Sequence, residues 1–298
     1  MEEKKILQPN DYEGLTTFRP PLCYELTGRS FELVMDDGYI HILTFTDRKT
    51  LTLKITEQPV EYDVPGNTPH EIPESEPHSY SYECLKADET TYFVNFEEDD
   101  APTHTGRSYV LDLENMLVTG VRSTLGTNPR LPRMTSTKFN FGAIKREDGT
   151  LNDLRHGYTT DLVGKAIHWN YAKFDIVHVY SSERYFRVTF SKERIEKMRR
   201  DFPAPPEGFV MPVYEDDNTM VKIKDHLYLV NLSEFLLCRR NGHGNSLLFV
   251  MDLNTLHDVG RSFGTNGDWK DENYTLGAFG ELFDASEHLA KPSTYYIR

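Results

Sequence analysis

The chain has 298 residues, 38% of them hydrophobic and 12% aromatic, with 33 basic against 47 acidic side chains and a formal net charge of −14. That length exceeds the usual domain of about 100–200 residues, so two domains are expected, and the apolar content is too high for a disordered chain. The acidic balance excludes recruitment of nucleic acid or of an anionic membrane surface by charge.

Three cysteines, Cys23, Cys84 and Cys238, are an odd number without CxxC spacing. They read as buried, reduced thiols of a cytoplasmic protein, neither a disulfide framework nor a zinc site. The opening MEEKKILQPN lacks the apolar core of a signal peptide, and no run of about 18 apolar residues occurs.

In chain order, residues 30–55 alternate in polarity and predict three strands. Turns are expected at Asp36-Asp37-Gly38 and at Asp47-Arg48. Residues 59–80 carry five prolines and read as a long loop without a counterpart later in the chain. YFVNFEE (92–98) is a strand ending on Glu98. After a polar joint at 145–157, residues 174–190 read as two strands around Ser181-Ser182-Glu183. SKERIEKMRRDF (191–202) predicts one short helix with Ile195, Met198 and Phe202 on a stripe, stopped by PAPPEGFVMP. Its cationic residues read as a solvated face, with a phosphate patch as the other reading. YLVNLSE (228–234) repeats the earlier strand, and RRNGHGNS (239–246) reads as a hairpin loop.

The repetition is systematic. LTGR (26–29) returns as LVGK (162–165), and 109–128 returns as 249–266. FNFGAI (139–144) is echoed by YTLGAF (274–279). Matches in one order argue for duplication, with halves at 1–150 and 151–298. Short strands joined by tight turns suggest an all-β protein of two tandem antiparallel barrels, each of about eight strands.

Side chains alternate along a strand, so Tyr92, Val94, Phe96 and Glu98 share one face, as do Tyr228, Val230, Leu232 and Glu234. The apolar row should face the barrel interior, leaving each glutamate at its end. There a partly desolvated carboxyl would suit proton transfer; a strand that bends outward would instead give it to water. By the same parity Trp169, Tyr171, His178 and Tyr180 could line the second barrel with Glu234, gripping an aromatic ring and hydrogen-bonding a carboxylate or carbonyl. A satisfied aromatic core is the other reading. The first barrel offers Leu33, Met35, His41 and Leu43, a greasier set, so the second is the expected pocket. The eleven histidines lack metal-ligand spacing, and no nucleotide-binding or hydrolase motif is present.

A duplicated barrel opening on a Gly-Arg/Lys strand and carrying W-x-Y with HVY resembles the family named after the molybdenum cofactor biosynthesis protein F. The resemblance implies two domains of the lipocalin-like, or calycin, kind and a link to molybdenum cofactor supply. A second resemblance is to phenolic acid decarboxylases, single calycin barrels that need no cofactor. Their glutamate follows a Tyr-x-Val-x-aromatic-x-Glu strand, the pattern of Glu98 and, with Leu232 in the aromatic place, of Glu234. Two tyrosines spaced i, i+2 in those enzymes are matched here by Leu33 and Met35 in one half and by Trp169 and Tyr171 in the other. No arginine is matched.

The expected function is therefore binding of a small aromatic or heterocyclic metabolite in the C-terminal barrel, with Trp169, His178, Tyr228, Glu98 and His41 as binding residues. The alternative is a cofactor-free lyase acting on a hydroxyaryl carboxylic acid, with Glu234 as general acid/base and Tyr171 and Tyr180 orienting the substrate. No cofactor, metal, nucleic acid or membrane partner is expected, and a homo-oligomer is admitted.

Overall fold

The computed structural model describes residues 15–57, 75–172, 175–189, 214–233, 238, 242, 244–265 and 269–290. The run at 30–55 forms β1 (Ser30–Met35), β2 (Tyr39–Phe45) and β3 (Thr50–Glu57). Their polarity alternates because one face is buried. Phe31, Leu33 and Met35 point inward from β1 while Glu32 and Val34 are only half-buried. The second predicted turn is held by Asp47, whose Oδ1 accepts from the backbone N–H groups of Lys49 (2.7 Å) and Thr50 (2.8 Å). The meander continues through β4 (Ser75–Lys86), β5 (Thr91–Glu97), β6 (Thr105–Asp112), β7 (Leu117–Leu125) and β8 (Thr135–Ile144). β8 pairs back onto β1, Leu33 opposite Ile144, which closes an eight-stranded antiparallel barrel.

After β9 (Gly157–Tyr158) the same path is walked again. β10 (Ala166–Asn170), β11 (Asp175–Tyr180), β12 (Tyr185–Thr189) and β13 (Tyr214–Lys222) lead to β14 (Leu227–Ser233). β15 (Asn245–Asp252), β16 (His257–Thr265) and β17 (Asp271–Leu282) complete the set. β17 pairs with β10, β12 with β13, and the ring closes; β9 adds to β13 outside it. The two tyrosine-to-glutamate strands, β5 and β14, are each the fifth strand of their barrel.

Finer details repeat as well. Gly28 (φ 80°) and Gly164 (φ 85°) occupy the left-handed region that favours glycine. Gly28 N–H donates to Phe45 O (2.7 Å) and Gly164 N–H to Tyr180 O (2.8 Å). Met116 (φ 56°) and Leu256 (φ 50°) take the same rare conformation before β7 and β16.

By their contacts, residues 20–127 and 136–157 form one compact unit. The other comprises the barrel that follows, together with residues 15–19 and 128–135. Within that second unit Arg19 Nη1 donates to Thr275 Oγ1 (2.6 Å), and the Phe18 ring meets Phe279 edge-on at 5.3 Å.

Two expectations need correction. Residues 75–80 are strand, not loop, despite Pro77: the β3–β4 register shifts between Leu53 and Ile55, and such an irregularity absorbs the N–H that proline lacks. The short helix observed is α1 (Ser286–Leu289), where no helix is predicted. The predicted one at 191–202 lies outside the described residues, as do 59–74 and most of the 239–246 loop. No helix among the described residues is long and apolar enough to cross a membrane.

Gly260 of β16 sits where a Cβ would run into Leu248 O and Phe249, whereas Gly157 has open space around it. Gly260→Ala should destabilise the second barrel by roughly 1–3 kcal/mol, with Gly157→Ala near neutral. Denaturant titrations of both variants check this, and equal midpoints would refute the packing assignment.

Candidate functional site

The second barrel's inward rows carry Ile167, Trp169 and Tyr171 from β10 and its end, and Ile176, His178 and Tyr180 from β11, as parity predicts. Trp169, His178 and Tyr180 are all but inaccessible. His178 stacks on Phe249 (6.0 Å) and meets Phe186 edge-on (5.8 Å), while Trp169 meets Phe249 edge-on (6.1 Å). Trp169 Nε1, both His178 ring nitrogens and the Tyr180 hydroxyl close no hydrogen bond among the described residues. The indole N–H does face the Tyr180 hydroxyl, without reaching normal hydrogen-bond geometry.

Beside them stands a carboxyl that sequence reasoning missed. Asp258 lies opposite Met251, an inward residue, and is fully buried. Its Oδ1 accepts from Ala278 N–H (2.6 Å), and its Oδ2 accepts from Tyr171 O–H (3.3 Å). Burial pushes this carboxyl up to about 7, against the pull of those two donors. The same burial drives His178 down to about 3, so its ring is neutral, and raises the Tyr171 and Tyr180 hydroxyls. The site therefore holds one carboxyl that exchanges its proton near neutrality among aromatic rings that do not titrate there. The signal was present in the aligned repeat: MLVTG (116–120) against LHDVG (256–260) sets Val118 against Asp258.

The first barrel is less greasy than expected. Glu98 is 8% exposed; its Oε1 accepts from Arg107 Nε (2.5 Å) and its Oε2 from Arg122 Nη2 (2.8 Å). Burial acts to raise the Glu98 carboxyl, but the charges of Arg107 and Arg122 outweigh it and hold the group below the usual carboxylate range. Arg107 Nη1 donates to the Tyr109 hydroxyl (3.4 Å), which lies 2.8 Å from His41 Nδ1. Burial and the Arg107 charge keep His41 neutral, and its Nε2 has no partner among the described residues. At the exposed rim His78, Asp99 and Asp100 gather three ligand atoms within 4.8 Å, but His78 and Tyr80 already engage the two carboxylates.

Register equates the two interiors residue by residue. Leu33, Met35, Leu43, Phe45 and Val118 stand where the second barrel has Trp169, Tyr171, His178, Tyr180 and Asp258. Conversely, His41, Arg107, Tyr109 and Arg122 stand where it has Ile176, Leu247, Phe249 and Ser262. Apart from the Arg122–Ser262 position, each copy is polar where the other is apolar or aromatic.

Of the sequence-predicted residues, Trp169, Tyr171, His178 and Tyr180 come together, and Glu98 and His41 are linked through Arg107 and Tyr109 in the other barrel. Glu234 lies outside the described residues. Tyr228 is inward, but its hydroxyl donates to Asp161 Oδ2 (3.1 Å), and Asp161 also pairs with Lys222 (3.2 Å). Tyr92, Glu25 and Lys86 form the same clasp in the first barrel (2.7 and 2.8 Å). A feature built identically in both barrels is a fold element, which separates Tyr228 from the Asp258 cluster.

The family model described as MoaF N-terminal domain matches residues 12–127. No curated protein matches the chain.

Asp258 and Glu98, both buried, predict opposite pH dependences. Asp258 holds its proton in the folded state up to about 7, so the second barrel should lose stability as pH rises from about 4 to about 7, by up to roughly 4 kcal/mol, and then level off. Glu98 is held low, so its contribution is present above the ordinary glutamate value and is lost as pH falls into the acid range. Asp258→Asn should abolish the first slope and stabilise the protein at pH 8. Urea unfolding across that range checks both signs, and an unchanged slope in the variant would contradict the assignment.

Proposed function

Taking residues 12–127 as a MoaF N-terminal domain, we propose that this MoaF-type two-barrel protein binds a small aromatic or heterocyclic metabolite inside its C-terminal barrel. The observation that carries the reading is the trio of fully buried polar side chains, Trp169, His178 and Tyr180, with hydrogen-bonding capacity unused among the described residues. Buried polar groups are costly when unpaired. A ligand that accepts from the indole N–H and the Tyr180 hydroxyl, and engages the neutral imidazole, would satisfy all three. Phe186 and Phe249 supply faces and edges for its ring. A carbonyl or carboxyl on a planar ring fits this set, and Asp258 could donate to it while protonated. The link to molybdenum cofactor biosynthesis rests on the family name.

A second reading, a cofactor-free lyase, is favoured by one observation, the Asp258 carboxyl that titrates near 7. General acid/base work is most efficient from a group with such a value. On a hydroxyaryl carboxylic acid, the bond to the carboxylate carbon would break, carbon dioxide would leave, and Asp258 would manage the proton that takes its place. Glu234 is the alternative bearer of that role.

Binding is testable by titrating Trp169 fluorescence with hydroxyaryl carboxylic acids and carbonyl-bearing heterocycles, in a Trp269→Phe background that leaves Trp169 as the only indole. Replacing Trp169 by Phe, read by equilibrium dialysis, should weaken affinity about tenfold through loss of one hydrogen bond of roughly 1.4 kcal/mol. His178→Leu and Tyr180→Phe should weaken it comparably. Affinity indifferent to all three substitutions would place the ligand elsewhere. For the lyase reading, Asp258→Asn should retain affinity and lose turnover; turnover equal to the parent would remove Asp258 from the chemistry.

A further inference from the structure

We propose that Cys23 and Cys84 are a reversible oxidation site, closing a disulfide on the first barrel in response to hydroperoxides. The segment leading into β1 lies along β4: Cys23 N–H donates to Cys84 O (2.8 Å), and two residues further on Glu25 pairs with Lys86 (2.8 Å). Cys23 packs against the core cluster that includes Cys84, and the two thiols interact with each other. A direct N–H···O bond between two backbones brings their Cα atoms into the range that a disulfide spans. Cys23 is partly exposed and Cys84 is buried.

The duplicated barrel supplies an internal control. There Thr159 N–H donates to Met220 O (3.0 Å), and Asp161 pairs with Lys222 (3.2 Å), each residue 136 positions beyond its counterpart. The backbone contact and the ion pair are retained while both sulfhydryls are replaced, so the fold does not require thiols at this contact. Their presence in one copy alone is a property of that copy.

The two thiols also divide the work. The Cys84 thiol, then the Glu25 backbone N–H and last the Lys86 charge, draw Cys23 down to about 6, against burial and the Glu25 charge. The Cys23 contact, then burial, hold Cys84 protonated well above an ordinary thiol. With Cys23 partly exposed and Cys84 buried, peroxide reaches Cys23 first, so Cys23 is the thiolate nucleophile and Cys84 the resolving thiol. The Cys23 thiolate attacks the peroxide oxygen, the O–O bond breaks, and a sulfenic acid forms with release of hydroxide. Cys84 sulfur then displaces the sulfenic hydroxyl, and its proton leaves with that group as water. Two thiols and one hydrogen peroxide give one disulfide and two waters, the two electrons passing to the peroxide. A dithiol reductant reverses the step by exchange.

The test uses the full chain, treated with a small molar excess of hydrogen peroxide, alkylated and mapped by peptide mass. We expect one intramolecular crosslink joining the Cys23 and Cys84 peptides, lighter by two hydrogen atoms, restored by dithiothreitol and absent from Cys238. Cys238→Ser should keep the crosslink, whereas Cys23→Ser should lose it and leave Cys84 unoxidised. The double variant Cys23→Thr with Cys84→Met, which copies the second barrel, should fold and form no crosslink. Sulfinic acid on Cys23 without a crosslink, or a crosslink involving Cys238 or a second molecule, would overturn the proposal.

Discussion

A closed antiparallel barrel allows each strand one inward row and no free edge, and everything else in this protein depends on that closure. With β8 returned to β1 and β17 to β10, ladder hydrogen bonds are satisfied around the ring. Parity then fixes which side chains enter the lumen. A one-residue slip would turn Trp169 and His178 outward and bring Asn170 and Val177 in, so register is also the specification of the site.

On that common frame the two copies have parted in a complementary manner. The second interior gathers uncharged aromatics around a carboxyl that is half-protonated near neutrality, a setting for neutral or weakly acidic rings. The first concentrates charge, with one carboxylate held between two guanidinium groups. Removing Glu98 would leave Arg107 buried and unpaired, a loss that usually exceeds what the pair contributes. Shared features, such as the tyrosine–acid–lysine clasps and the glycine hydrogen bonds at the barrel entries, mark what the frame requires. Differences mark what each copy does with it.

Much of this was legible beforehand, for reasons specific to particular residues. Alternation in 30–55 and the repeated Tyr-x-Val strand made the meander, its turns and its inward rows readable, and Trp169, Tyr171, His178 and Tyr180 followed. Asp258 was not found because the inward rows were drawn from the opening strands and the repeated Tyr-x-Val strand; the aligned repeat sets it against the inward Val118. Arg107 and Arg122 were missed because they approach Glu98 from β6 and β7, and sequence spacing does not record such cross-strand neighbours. Pro77 misled in the opposite direction, since proline argues for a loop unless an irregular register makes room for it.

Residues 15–19 and 128–135 belong by their contacts to the later unit although they precede and interrupt the earlier one. During synthesis the ribosome releases the first barrel's strands while both of these segments still lack their docking partners. The strands of the first barrel thus emerge before the docking partners of these two segments do. Only when β16 and β17 have emerged can Phe18, Arg19 and Arg133 meet Phe279, Thr275 and Asp271. Strands late in the chain thus secure its first described residues.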